Sequence, residues 1–72
     1  MKYKIRLDTS TDVARFVAST TSIQNADITV TDGKGMCVNA RSLLGMLYAL
    51  EFTELWCNSN VEIYDRIKDF VI

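Results

Sequence analysis

Val38-Asn39-Ala40-Arg41-Ser42-Leu43-Leu44-Gly45-Met46-Leu47-Tyr48-Ala49-Leu50 passes from an extended run into an apolar helix, turning at a basic residue followed by serine. Ser42 stands where a helix needs its N-cap, with a hydroxyl able to accept a hydrogen bond from an orphan backbone N–H one turn on. Leu43, Met46, Leu47 and Leu50 recur at helical spacing and predict the core-facing stripe, with Leu44 and Tyr48 on a flanking side. So short a helix cannot bury all of these in one direction. The apolar surplus is the first pointer to function, because contiguous exposed apolar surface marks docking sites.

Upstream, Lys2-Tyr3-Lys4-Ile5-Arg6-Leu7 alternates strictly, apolar on one side and cationic on the other, as in a half-buried strand. The polar turn Asp8-Thr9-Ser10-Thr11-Asp12 follows, in which Thr9 and Asp12 resemble a capping box with aspartate in place of glutamate. Capping alone accounts for these hydroxyls without an anion site. Val13, Phe16, Val17 and Thr20 then predict a helix over about residues 10–22. Asp27-Ile28-Thr29-Val30-Thr31 is a β-branched strand, Asp32-Gly33-Lys34-Gly35 a hairpin turn, and Met36 to Ala40 the returning strand. Phe52 to Ser59 reads as a fourth strand around Leu55-Trp56-Cys57. Asn58-Ser59-Asn60 supplies a turn and a cap, and Ile63, Ile67, Phe70 and Val71 line a closing helix. The order β-α-β-β-α-β-α predicts one α+β domain over 1–72, an antiparallel sheet covered on one face by helices.

The totals bound the chemistry. The chain has 72 residues, 49% hydrophobic and 24% charged, with a net charge of −1, which offers no electrostatic reason to expect nucleic acid. No apolar run is long enough to cross a bilayer and no signal peptide is read, so a cytoplasmic protein without membrane contact is the expectation. Histidine is absent, which excludes an imidazole base and a phosphohistidine. Two cysteines without histidine do not make a zinc site, and no metal or cofactor is expected. Cys37 and Cys57 fall on strands too far apart to bridge and lack a neighbour that would lower a thiol pKa. No carboxylate pair, activated nucleophile or phosphate-cradling loop is present, and the Asp32–Gly35 glycines lie in a hairpin rather than between strand and helix, so an enzyme is not expected. Trp56 alternates with Leu55 and Cys57 and faces the open side of the sheet. There it serves either as an interface anchor or as an aromatic that stabilises neighbouring strands.

Element order and wording at three places resemble the histidine-containing phosphocarrier family, HPr, of the bacterial sugar phosphotransferase system. The main match is Val38 to Leu47, similar to the family's basic-Ser-aliphatic-aliphatic-Gly regulatory segment, with Arg41 in place of the usual lysine. Ala14-Arg15-Phe16-Val17 resembles the Phe-Val core of the family's first helix, and Ile28-Thr29-Val30 with Gly33 and Val38-Asn39 resembles its central hairpin. The resemblance implies an open-faced β-sandwich with strand order 1-4-2-3. It also places Thr9 at the phosphoryl-accepting histidine, Thr11 at the following arginine and Asp12 at the proline, in a loop shorter than the family's. A phosphothreonine is a stable ester, so phosphocarrier chemistry is rejected. What the resemblance leaves is a regulatory role. Arg41, Leu43, Leu44, Met46 and Leu47 would dock phosphotransferase-system or regulatory proteins, and a serine kinase would modify Ser42. The alternative is an interaction or oligomerisation module that retains only the fold.

Overall fold

β-Branched and alternating segments pair where the sequence puts them. A computed structural model describes all 72 residues, Met1 to Ile72. It holds β1 (Lys2–Ile5), α1 (Ser10–Thr21), β2 (Ile28–Thr31), β3 (Cys37–Asn39), α2 (Leu43–Tyr48) continued by a 3₁₀ turn (Ala49–Glu51), β4 (Leu55–Ser59) and α3 (Tyr64–Ile67). The strands form one antiparallel sheet in the order β1-β4-β2-β3, the order the HPr resemblance implies. Register fixes the faces: Ile5 pairs with Leu55, Cys57 with Val30, and Val30 with Val38, so these point to the helices.

The core forms between that face and the helices. Val13 and Phe16 of α1, Val30, Cys57, Met46 of α2, Ala49 and Ile67 of α3 are fully buried. Full burial of a side chain such as Phe16 contributes about 1.5–3 kcal/mol. Phe70 meets Phe16 edge to face, with ring centroids 5.3 Å apart. Thr20, also fully buried, lies with its hydroxyl 3.0 Å from the Ala40 carbonyl and 3.0–3.1 Å from carbonyls of its own helix, tying α1 to the end of β3.

Thr9 caps α1 as expected, its Oγ1 accepting from the Asp12 N–H at 3.1 Å. The Asp12 carboxylate reaches back one residue further than a capping box requires, accepting from the Asp8 N–H at 3.0 Å. In the β2–β3 turn, Asp32 Oδ1 accepts from Lys34 and Met36 N–H while Gly33 takes φ +77°, a conformation a side chain would strain.

The C-terminal third differs from the sequence reading. β4 starts at Leu55 rather than Phe52 and ends at Ser59, which is buried, while Asn60 beyond it accepts from the Asp27 N–H and does not cap α3. α3 is a single turn without a side-chain cap at Ile63; the Glu62 carboxylate takes the Tyr64 N–H instead. Past Ile67 the chain leaves the helix and bridges β1 at Ile5–Val71, where Arg6 N–H donates to Phe70 O and Ile72 N–H to Lys4 O. Ile63, Ile67 and Phe70 are buried as their spacing predicted. The backbone follows β1 because those strand-edge groups need partners.

Candidate functional site

α2 is short and its geometry departs from the expected stripe. Ser42 caps it, Oγ accepting from the Gly45 N–H at 3.1 Å. Met46 and Ala49 are fully buried, whereas Leu43, Leu44, Leu47, Tyr48 and Leu50 are exposed, Leu44 by 82%. At about 100° per residue, the buried side is turned by roughly a quarter turn from the predicted Leu43-Met46-Leu47-Leu50 stripe. The inward line is Ser42, Gly45, Met46 and Ala49, mostly small residues. A Cβ on Gly45 would lie 3.2 Å from Ser42 Oγ and 3.5 Å from Val38 Cβ, so glycine lets the helix settle onto its own cap and onto β3. Close approach thus selects the small residues and turns the leucines outward.

The sequence-predicted docking residues therefore divide. Leu43, Leu44 and Leu47 lie on the surface; Met46 is core. Tyr48 and Leu50 join the exposed group, and Tyr48 packs edge to face on Phe52 at 6.0 Å, which fixes one rim of the surface. The run of small residues at 42, 45 and 49 was the signal for this orientation. Residues 42–50 carry no charge.

Arg41 points elsewhere. Its Nε donates to Thr20 O at 3.1 Å and its Nη2 to Ile23 O, so the guanidinium satisfies carbonyls at the C-terminal end of α1. Its backbone N–H donates to Asn39 Oδ1 at 2.8 Å, closing the turn before Ser42.

At the other predicted position, the start of α1, Thr9 is spent on capping. The surrounding charges are paired: Arg6 meets Asp8 at 3.1 Å, and Arg15 lies 3.9 Å from Asp12 and 4.0 Å from Asp69 while its guanidinium covers the Phe70 ring at 5.4 Å. Three carboxylates and two guanidiniums leave this hollow with an excess of negative charge, and the first-turn N–H of Asp12 is already bonded. An anion would meet Asp12 at the point where a helix terminus otherwise attracts it.

Cys37 is exposed on β3 and Cys57 buried on β4, with β2 between them, and both are free thiols. No helix is long and apolar enough to cross a membrane. Comparison with family models, with curated proteins and with solved structures found no match.

Proposed function

We propose that this chain is an HPr-like protein-binding module that carries no phosphoryl group and docks a partner on the outward surface of α2. One observation carries the reading: five large apolar side chains, Leu43, Leu44, Leu47, Tyr48 and Leu50, stand exposed on one uncharged segment. The acidic balance around Thr9 supports the non-transferring half, because a phosphoryl group there would face Asp8, Asp12 and Asp69. In the regulatory form of the proposal the partners belong to bacterial sugar uptake and its control, and a phosphate on Ser42 switches docking by placing about two negative charges beside the leucines.

Arg41 favours the second reading, a general interaction module with the fold alone. Its guanidinium is committed to α1, so a phosphate on Ser42 would gain an arginine partner only by uncapping that helix. Mass spectrometry after incubation with an HPr serine kinase and ATP separates the two. The regulatory reading expects one added phosphate, absent from Ser42→Ala and strongly reduced in Leu44→Glu, whose side chain only the docking surface uses. A folded wild-type protein that stays unmodified removes the regulatory reading and leaves the general module.

A further inference from the structure

The exposed face of α2 complements itself. Leu43, Leu47 and Leu50 form one stripe along the helix and its 3₁₀ continuation, and Leu44 and Tyr48 form the next. Their exposures, from 36% to 82%, amount to about two and a half whole side chains, roughly 450 Å² of apolar surface at on the order of 180 Å² each. Two such faces in contact would remove nearly 1,000 Å² from water before any rim is counted, about the least that a specific interface needs. No other part of the chain offers a matching surface. The remaining exposed large apolar residues, Met1, Met36, Val61, Tyr64 and Ile72, are divided among the two termini, the β2–β3 turn and the approach to α3. Charge fits the same pairing. The uncharged run 42–50 is bounded by Arg41 at one end and Glu51 at the other, and neither takes part in an ion pair. Arg41 spends Nε and Nη2 on carbonyls of α1 and makes no bond through Nη1.

We infer that α2 docks a second copy of this chain, antiparallel across a two-fold axis, with Leu44 of each copy against Leu47 of the other. This rests on the reading of α2 as a docking surface and names its occupant. An isologous contact uses the same patch on both subunits and therefore closes at two. The antiparallel sense follows from the flanking charges. It sets the Arg41 end of each helix beside the Glu51 end of the other, whereas a parallel pair would bring like charges together at both ends. A partner of marked charge finds nothing on residues 42–50 that would select it. A second copy needs no such selection, because it brings an equal apolar face and the complementary end charges.

The test is sedimentation equilibrium of the intact chain from micromolar to millimolar concentration. Expected is an 8.2 kDa monomer at the dilute end passing to twice that mass and no further, with a dissociation constant on the order of 10⁻⁴ M. Leu44→Glu, checked for folding by circular dichroism, should weaken the dimer by about tenfold or more, since it sets two carboxylates in the apolar contact. Glu51→Arg should weaken it about threefold by facing Arg41 of the other copy. Tyr64→Ser, which removes an exposed apolar side chain elsewhere, should leave it unchanged. In proton–nitrogen correlation spectra, dilution should shift the amides of residues 43–51 and leave those of β1 and β4 in place. A monomer at millimolar concentration would overturn the second copy as occupant while leaving α2 to another partner. A dimer that Leu44→Glu does not disturb, with its dilution shifts on the sheet, would count against the α2 docking surface as well. Masses that climb past the dimer, or a Glu51→Arg dimer as tight as wild type, would overturn the antiparallel two-fold arrangement.

Discussion

Cys57 and Cys37 show how one side chain's surroundings set its chemistry. Cys57 sits on β4 between Tyr3 and Val30 with no exposed surface, and burial pushes its thiol up to about 11 from an ordinary 9.0. The folded state thus holds a proton that the unfolded chain releases first. Stability from this group is fully present below about pH 9 and is lost as pH rises toward 11. At pH 10 the loss is on the order of 1 kcal/mol. Urea unfolding at pH 7 and pH 10 should therefore show a larger drop for wild type than for Cys57→Ala, since the tyrosines and lysines are common to both. Equal drops would mean that the thiol is not held neutral by the core. Thiol counting gives a second reading of the same residue. Cys37 should react at once with a disulfide reagent in native buffer, and Cys57 only in denaturant; two fast thiols without urea would contradict the burial of β4.

At the scale of the element, α2 separates what sequence periodicity conveys from what it does not. Its start was legible because Ser42 is a hydroxyl at a cap and Gly45 is the residue whose N–H it receives. The sheet was legible for a similar reason: strict alternation in residues 2–7 and 27–31, with Asp-Gly between β2 and β3, leaves few ways to pair. The orientation of α2 was not legible from the leucines. Apolar size predicts burial only when the helix stands a full side chain away from its neighbours, and Ser42, Gly45 and Ala49 let this one come closer. The end of the chain was misread for another reason. Ile67 and Phe70 satisfy helical spacing, but β1 offers edge hydrogen bonds that the backbone takes after one turn. The α2 geometry has a direct consequence for stability. Met46→Ala should cost about 2–5 kcal/mol by opening a cavity beneath the helix. Leu44→Glu should change stability by no more than about 0.5 kcal/mol, since that side chain is in water in both states. Chemical denaturation of the two variants checks the pair, and comparable losses would place Leu44 in the core instead.

For the whole molecule, the decisive fact is that a chain this short closes its sheet with its own last residues. A domain of this size has about 4–11 kcal/mol of net stability. Phe70 contributes both to the core, through its edge-to-face contact with Phe16, and to the sheet, through the carbonyl that receives the Arg6 N–H. Removing the ring altogether would cost about 3–5 kcal/mol, enough to leave a population of unfolded chains too large for a clean measurement. Phe70→Leu is the readable version, because it retains bulk but loses the aromatic contact, and should cost about 1–2 kcal/mol. In a domain this small each kcal/mol lowers the melting temperature by roughly 4–8 °C. The position of the loss matters as much as its size. If the terminal segment is a clasp on β1, the Arg6 and Ile72 amides should exchange with solvent much faster in the variant, while β2 and β3 amides follow only the fall in global stability. Hydrogen exchange that rises uniformly across all four strands would instead make Phe70 an ordinary core residue, and the bridge between Ile5 and Val71 a consequence of the fold rather than one of its supports.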